Sequence, residues 1–365
     1  MRSGQFDIDY AKQVTKLADY SGIAITVSND YEINDTAKQK YLTNVLQSYG
    51  ADAYKQVTDR DTVADGDYVK VDYTGYKDGK AFDGGSATDV MLDVTNNSQV
   101  GGSSFIDGFT KPIIGAKVGD KVKGDVTFPE DYGNDDLNGQ TVTFEYTVKG
   151  IYSADPVALA DMTDEQVNTV FGKAGVTTNA QLSTQIEKDL KQQLYSAEVD
   201  KIKSYMIENS RVEIPDEYLQ ARLNEYIASF TKENVKDGQT LKKYLKSNYN
   251  MTVDQATEKW KENLTDQIKT EFIFGLIAEK ENIKMDDDAF NSYVDYIVSA
   301  SNGQFSKASE VYKYFGSGHK DEGKTYLKNQ YLVNKAIDTV TEKANVTFED
   351  GSAAPDTSSG SADAK

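Results

Sequence analysis

The strongest constraint on the fold is a change of pattern between residues 63 and 152. Glycine becomes frequent in this stretch, and apolar and polar residues alternate in runs such as 68–73 and 141–148. A period of two turns one face of each run towards a core, which is typical of half-buried β-strands. An Asp-Gly pair at 78–79 separates two such runs and indicates a tight hairpin turn. We therefore predict an antiparallel, β-rich domain at 63–152.

The region that follows, 153–350, has helical spacing instead. Three Thr-x-x-Gln sequences, at 163–166, 178–181 and 252–255, each fit a capping box at a helix start. Apolar residues recur at intervals of three and four, which is typical of helices that bury one face. Two such stripes are Leu219, Leu223, Ile227 and Phe230, and Trp260, Leu264, Ile268, Phe272 and Leu276. We predict that 153–350 is an all-helical domain.

The two ends of the chain differ from both domains. Residues 1–62 combine a strand-like run at 23–27 with helical spacing at 34–50, and we predict a lead-in that packs with the C-terminal helical region. Residues 351–365 are Gly, Ser, Ala, Asp and Thr with one Pro and one Lys. Because such a composition cannot bury a core, we predict a disordered tail there.

Composition excludes several classes of chemistry. The formal net charge of -19 disfavours binding to the phosphate backbone, so we expect no nucleic-acid partner. Cysteine is absent, which excludes thiol catalysis and Cys-based zinc sites. The single histidine, His319, lies in a Gly-Ser-Gly-His-Lys sequence that we predict to be a loop, and we assign it no catalytic role. We expect neither a cofactor nor a bound metal.

The β-rich domain carries an ordered series of short motifs. They are Val-Asp-Tyr-Thr-Gly at 71–75, Asp-Gly-Lys-Ala-Phe-Asp at 78–83, Phe-Ile-Asp-Gly-Phe at 105–109, Gly-Ala-Lys-Val-Gly-Asp at 115–120, Phe-Pro-Glu-Asp-Tyr-Gly at 128–133 and Val-Thr-Phe at 142–144. Any one of them is weak, but the series in this order is specific. It resembles the FKBP-type peptidyl-prolyl isomerase domain, and the motif at 128–133 resembles the form found inside trigger factor.

That resemblance implies a half-barrel of antiparallel strands wrapped on a short helix, with a pocket between them. Phe109 would form the pocket floor, where many relatives have Trp, and Asp83 would lie at the edge. Residues 95–104 look like an insertion before the short helix. The residues implied to form the site are Tyr73, Phe82, Asp83, Phe105, Ile106, Phe109, Tyr132 and Phe144.

Such residue types suit the isomerisation of X-Pro bonds. Amide resonance opposes rotation with a barrier of about 18–20 kcal/mol. Twisting the bond removes the resonance and leaves a less polar carbonyl, so an apolar, aromatic pocket favours the twisted state without moving a proton. The hydroxyl of Tyr132 and the backbone N–H of Ile106 could hold the substrate carbonyl.

The resemblance to trigger factor extends beyond the pocket. Ile-Pro-Asp-Glu-Tyr-Leu at 214–219 looks like the start of one of its arm helices, and 274–283 looks like its later helix and turn. The basic ribosome-binding signature of trigger factor, Gly-Phe-Arg-x-Gly-Lys, does not occur in this sequence. We therefore expect an α+β, trigger factor-like protein that lacks the ribosome-binding domain and does not dock on ribosomes.

The predicted function is that of a peptidyl-prolyl cis-trans isomerase and chaperone. Its partners would be unfolded polypeptides that contain X-Pro bonds. The alternative is a protein without catalysis: a holdase in which the FKBP-type domain only recognises chains, or a surface interaction protein.

We expect the protein to work outside the bacterial cytoplasm, anchored at the membrane or cell surface by a tether outside this chain. The absence of cysteine suits a compartment without a reducing pool, and both ends of the sequence read as polar spacers. The longest apolar stretch, 272–278, is far shorter than the ~20 residues of a membrane-spanning helix. The alternative location is the cytoplasm.

Overall fold

The structure, a computed structural model, describes residues 2–49, 53–155 and 157–357. The helices in these ranges are α1 (Tyr10–Gln13), α2 (Asp35–Leu46), α3 (Asp164–Phe171), α4 (Asn179–Asn209), α5 (Asp216–Asn234), α6 (Leu241–Tyr249), α7 (Val253–Lys280), α8 (Asp287–Ala300), α9 (Ala308–Phe315) and α10 (Lys320–Glu342). The strands are β1 (Val14–Lys16), β2 (Ala24–Val27), β3 (Asp67–Lys77), β4 (Lys80–Asp93), β5 (Ser98–Gln99), β6 (Lys121–Thr127), β7 (Thr141–Ser153), β8 (Arg211–Val212) and β9 (Asn345–Phe348). The α+β class predicted from the sequence is confirmed.

The chain divides into two units. One contains residues 33–190, and the other combines 1–32 with 191–365. The predicted lead-in is therefore split, because its strands and its helix have different partners. Strands β1 and β2 pair with β8 and β9. Helix α2 instead buries Leu42 and Leu46 in a cluster with Met91 and Phe171. The predicted domain boundaries at 62 and 152 stay predictions.

The sheet of the 33–190 unit has five strands in the order β5-β4-β3-β7-β6, and its neighbours pair antiparallel. Asp78 and Gly79 close the β3–β4 hairpin with φ of 52° and 76°, which matches the tight turn predicted for this pair. Strand β7 buries Val142, Phe144, Tyr146 and Val148, which are every second residue. This alternation builds one core face.

The short helix implied by the resemblance is a single 3-10 turn in the segment that faces that core. Turns occupy residues 106–110, and only one 3-10 turn, Lys111–Ile113, follows. Gly108 has a φ of 82°, a left-handed conformation that interrupts a right-handed helix. Phe109 and Ile113 nevertheless reach the core.

The other unit is mostly helical, with two small strand pairs. Strand β1 pairs antiparallel with β8, and β2 pairs parallel with β9. The predicted capping box at Thr252 in this unit is confirmed, as is the one at Thr163 in the 33–190 unit, where Thr178 exchanges hydrogen bonds with Gln181 in the same way. Among the helices of the described ranges, none has both the length and the apolar character that crossing a membrane requires.

Residues 351–357, which belong to the tail predicted to be disordered, make contacts with distant parts of the chain. The N–H of Ala354 donates to the Val346 carbonyl at 3.0 Å, so the segment folds back on β9. Thr357 is buried, and its hydroxyl donates to the Glu198 carboxylate at 2.6 Å. Local composition missed these contacts because the partners lie far away in the sequence. Residues 358–365 of the predicted tail lie outside the described residues.

Candidate functional site

One cavity in the 33–190 unit gathers all eight predicted site residues. It has a volume of about 270 Å³ and lies between the sheet and the segment that follows β5. The predicted residues in its lining are Tyr73, Phe82, Asp83, Phe105, Ile106, Phe109, Tyr132 and Phe144. Six further lining residues were not predicted: Gly84, Gly85, Ser104, Phe128, Asn134 and Leu137.

Phe109 lies at the centre of the ring cluster and is only 2% exposed. Its ring stacks on Phe105 with centroids 4.3 Å apart and planes 17° apart. The rings of Tyr73 and Phe144 meet it edge-on at 5.0 and 4.9 Å. These are favourable aromatic geometries, and they fix the rings as one rigid, apolar surface. Phe109 therefore occupies the position expected of a pocket floor.

Phe82 depends on two glycines for its place in the wall. A Cβ on Gly75 would lie 2.6 Å from the Phe82 ring and 2.7 Å from the Phe144 ring. A Cβ on Gly85 would lie 2.6 Å from the other side of the Phe82 ring. Glycine at both positions lets the ring lie against the backbone of β3 and β4.

The rim of the cavity is more polar than its floor. Tyr132 is 48% exposed, and its ring meets Phe128 at 4.6 Å. Asp83, which was predicted to lie at the edge, is an exposed member of the lining. Among the described residues, none accepts a hydrogen bond from the Tyr132 hydroxyl or from the Ile106 N–H. Both groups are therefore free to bind a carbonyl.

Tyr146 supports the floor from behind, and the sequence reasoning missed it. Its hydroxyl donates to the Phe109 carbonyl at 2.6 Å, and its ring lies 5.4 Å from that of Phe109. Burial raises the pKa of Tyr146, so the hydroxyl stays protonated and remains a donor. The alternation of β7 was the available signal, since it places Tyr146 on the same face as Phe144.

This site can act by binding a substrate in apolar surroundings, without transferring a proton. Burial, with a smaller contribution from the charge of Tyr132, raises the pKa of Tyr73 and keeps its hydroxyl neutral. Seven of the fourteen lining residues carry aromatic rings, and the Tyr132 hydroxyl and the Ile106 N–H are the free donors. This arrangement can hold an apolar ring or side chain while one or two donors bind a carbonyl oxygen.

The helical unit has a different kind of candidate surface. A cavity of about 340 Å³ is lined by Tyr195, Val199, Tyr293, Tyr331 and Ile337, among others. A separate aromatic cluster joins Tyr226 and Phe230 to Trp260, with centroids 5.5 and 4.8 Å from the indole. Tyr226 and the nearby Tyr249 are exposed. Such spread-out aromatic surfaces suit contact with apolar segments of varied sequence.

Comparisons with known proteins give a family match for each of two stretches of the chain. The family model described as FKBP-type peptidyl-prolyl cis-trans isomerase matches residues 60–149. The family model described as bacterial trigger factor protein C-terminus matches residues 177–342. The first match contains the aromatic cavity, and the second contains most of the helical unit.

Individual relatives cover most of the chain. A trigger factor of Agathobacter rectalis is 28% identical over 89% of this chain and 69% of its own length. A trigger factor of Clostridium botulinum is 29% identical over 76% of this chain, and the chain spans 62% of that relative. A solved structure of the trigger factor chaperone is similar over 89% of this chain and 72% of that chain, with 18% identity and a TM-score of 0.45. The trigger factor C-terminus model and the FKBP-type model match separate stretches of the chain, and trigger factors are similar to it over most of its length.

Proposed function

We propose that this chain is a peptidyl-prolyl cis-trans isomerase whose active site is the aromatic cavity. The observation that carries the proposal is the convergence of eight motif residues, distant in sequence, on one cavity of about 270 Å³. The FKBP-type match over 60–149 supports the same activity at the level of the family.

The mechanism follows from the polarity of the site. Rotation about the X-Pro bond must overcome a resonance barrier of about 18–20 kcal/mol. The twisted amide has lost its resonance and is less polar than the planar one, so apolar walls formed by Phe82, Phe109 and Phe144 stabilise it selectively. The Ile106 N–H and the Tyr132 hydroxyl then hold a substrate carbonyl while the proline ring turns. No cofactor takes part.

A refolding assay limited by prolyl isomerisation tests this. The chain should accelerate the slow phase, which lasts about 10–100 s at 25 °C without catalysis. Phe82→Ala and Tyr132→Ala should each lose most of the acceleration, because they remove a wall and a rim of the cavity. Tyr49→Ala is the matched control, since Tyr49 is an exposed tyrosine of the same unit that does not line the cavity. If the unmodified chain accelerates no substrate, catalysis is wrong and the binding-only alternative gains.

We further propose that the helical unit binds non-native polypeptides. The support is the pair of exposed tyrosines Tyr226 and Tyr249 near the half-buried Trp260, together with the apolar cavity beside Tyr293. Non-native chains expose apolar segments, which such surfaces can cover weakly and reversibly. The C-terminal match to trigger factor supports the same role.

An aggregation assay on the full chain separates this role from catalysis. The Phe82→Ala chain should suppress aggregation of a denatured client as well as the unmodified chain does. A double substitution, Tyr226→Ser with Tyr249→Ser, should reduce suppression and leave prolyl isomerisation intact. Equal suppression by all three chains would contradict a role for this surface.

We propose that this chain does not dock on ribosomes. The sole support is that the Gly-Phe-Arg-x-Gly-Lys signature does not occur in the sequence. Cosedimentation with ribosomes tests it directly. Binding that survives high salt would contradict the proposal.

We also propose that the protein works outside the cytoplasm. This proposal rests on the cysteine-free sequence and its polar ends. The alternative location is the cytoplasm. Cell fractionation with an antibody against this chain decides between them, and recovery in the cytosol alone would overturn the tethered location.

A further inference from the structure

We propose that Asn97 is a positioning residue of the cavity: its side-chain amide orients the peptide between Phe105 and Ile106 so that the Ile106 N–H faces the substrate carbonyl. This inference deepens the proposed isomerase function and rests on it. Asn97 lies in the segment 95–104, which precedes the motif at 105–109 and looks like an insertion.

The amide of Asn97 is fully used. Its Nδ2 donates to the carbonyls of Phe105 and Ile106 at 3.2 and 2.9 Å. Its Oδ1 accepts from the N–H and the hydroxyl of Thr110 at 2.9 and 3.1 Å. Only one orientation of the amide satisfies both sets, because a flipped amide would place its oxygen against two carbonyls. The side chain therefore fixes both ends of 105–110.

The backbone at Asn97 is suited to this role. Its φ is +49°, a left-handed conformation that asparagine adopts more readily than most residues. The carbonyl of Asn97 also accepts from the Phe105 N–H at 2.9 Å. Phe105 is thus held from both sides, by the backbone and by the side chain of the same residue.

Holding the Phe105 carbonyl determines where the Ile106 N–H points. The two groups belong to one planar trans peptide, in which C=O and N–H point in opposite directions. With its carbonyl directed at Asn97, this peptide directs its N–H away from Asn97. None of the described residues accepts from that N–H, and Ile106 lines the cavity. A half-buried N–H without a partner gains by binding a ligand carbonyl.

Two variants and one control test the role of the amide. Asn97→Gly keeps the left-handed backbone and removes the side chain. Asn97→Asp keeps an oxygen for Thr110 but replaces the donor that holds the two carbonyls. Asn96→Gly is the matched control, because Asn96 is exposed and, among the described residues, its side chain bonds only Asp93, at 2.8 Å.

Two readouts on the full chain are needed. The first is kcat/KM for a blocked Ala-Leu-Pro-Phe peptide, which should fall about tenfold in both Asn97 variants, as expected for one misaligned hydrogen bond. The second is the amide NMR signal of Ile106, which should move downfield when the same peptide is added to the unmodified chain. That movement should vanish in Asn97→Asp and persist in Asn96→Gly.

The outcomes separate this inference from the isomerase proposal. If the unmodified chain is active and Asn97→Asp keeps its kcat/KM, the positioning role is wrong and the isomerase stands. If the unmodified chain is inactive, the isomerase proposal is wrong, and the Ile106 signal decides the positioning role. A peptide-induced shift lost only in Asn97→Asp supports that role, whereas an absent shift, or one equal in both chains, overturns it.

Discussion

The 33–190 unit contains the aromatic cavity, and the mostly helical unit consists of 1–32 and 191–365. Both contain many aromatic side chains, but the two units arrange them differently. In the cavity, rings from motifs spread over 73–144 meet edge to face around Phe109, and the floor is sealed from solvent. In the helices, Tyr226, Tyr249 and Tyr296 stay exposed. A precise ring cluster suits one chemical group, whereas dispersed rings suit many chain segments. We therefore predict that changing a single group in the cavity lining impairs the function of the cavity. The function of the helical unit should depend instead on the stability of its helices.

The largest effect is expected at a buried ion pair in the helical unit. Arg222 bonds Glu271 at 2.8 and 3.0 Å, and the two side chains are 11% and 14% exposed. Burial alone would lower the pKa of Arg222, but the hydrogen bonds and charge of Glu271 more than offset it and raise the pKa. Glu271→Ala leaves the buried cation without its partner, which should cost about 3–5 kcal/mol of unfolding free energy.

Trp260 reports on this change, because it is the single tryptophan and lies on α7 together with Glu271. Urea unfolding followed by its fluorescence should show the loss, while prolyl isomerisation should persist below the transition. Asp266→Ala is the control on the same helix, since Asp266 and Lys269 form an exposed pair. If Glu271→Ala leaves the unfolding transition unchanged, the helical unit does not depend on this ion pair for its stability.

The next effect is expected at Gly75 in the cavity wall. Gly75→Ala places a methyl group 2.6 Å from Phe82, so the ring must move. Overpacking of this kind typically costs about 1–3 kcal/mol of stability. Displacement of a wall should also lower kcat/KM by about 10- to 100-fold. Thr74→Ala, at the neighbouring position outside the lining, should keep near-normal activity, and full activity in Gly75→Ala would show that the wall tolerates displacement.

A smaller effect is expected from Tyr146→Phe. The substitution removes the hydroxyl that donates to the Phe109 carbonyl, and no other described residue donates to that oxygen. The buried carbonyl left without a donor should cost about 1–3 kcal/mol. Tyr54→Phe is the matched control: Tyr54 is buried in the same unit, and its hydroxyl has no partner among the described residues. Thermal unfolding followed by near-ultraviolet circular dichroism should show Tyr146→Phe destabilised and Tyr54→Phe unchanged or stabilised.

The smallest effect that we expect is a change of stability with pH, which Glu198 in the helical unit should cause. Burial raises the pKa of Glu198, and the hydrogen bond from Thr357 only partly opposes this. The folded state therefore binds its proton more tightly than the unfolded state, and stability falls as the pH rises above the ordinary range of a glutamate, about 4.3. Glu198→Gln should stabilise the unit near neutral pH, and the difference should shrink as the pH falls towards about 4. Trp260 fluorescence at several pH values measures it, and a pH-independent difference would contradict the assignment.

Much of the cavity could be predicted because its residues lie in short motifs whose order is specific. The prediction missed Leu137, since its approach to the cavity depends on how the loop between β6 and β7 folds back. It missed Phe128 although that residue opens the motif at 128–133. Tyr146 was missed because a supporting hydroxyl and a packed core tyrosine have the same sequence pattern.

Periodicity predicted the strands and helices but not which distant segments pair. The split of the lead-in follows from β2 meeting β9, whose residues are separated by almost the whole chain. The ordered part of the tail follows from Thr357 meeting Glu198. Neither contact has a local signal, since each depends on burial and hydrogen bonding across long separations.

The parallel pairing of β2 with β9 also sets an order of events during synthesis. Residues 33–190 form one continuous stretch, so that unit has all its residues once position 190 has left the ribosome. The other unit cannot close until residues 345–348 arrive to pair with 24–27. Strand Ala24–Val27 must therefore wait unpaired until then, whereas Val14–Lys16 can pair once residues 211–212 have been made. The 33–190 unit, which holds the proposed isomerase site, would be complete first, and the helical unit, which we propose to bind other unfolded chains, would close later.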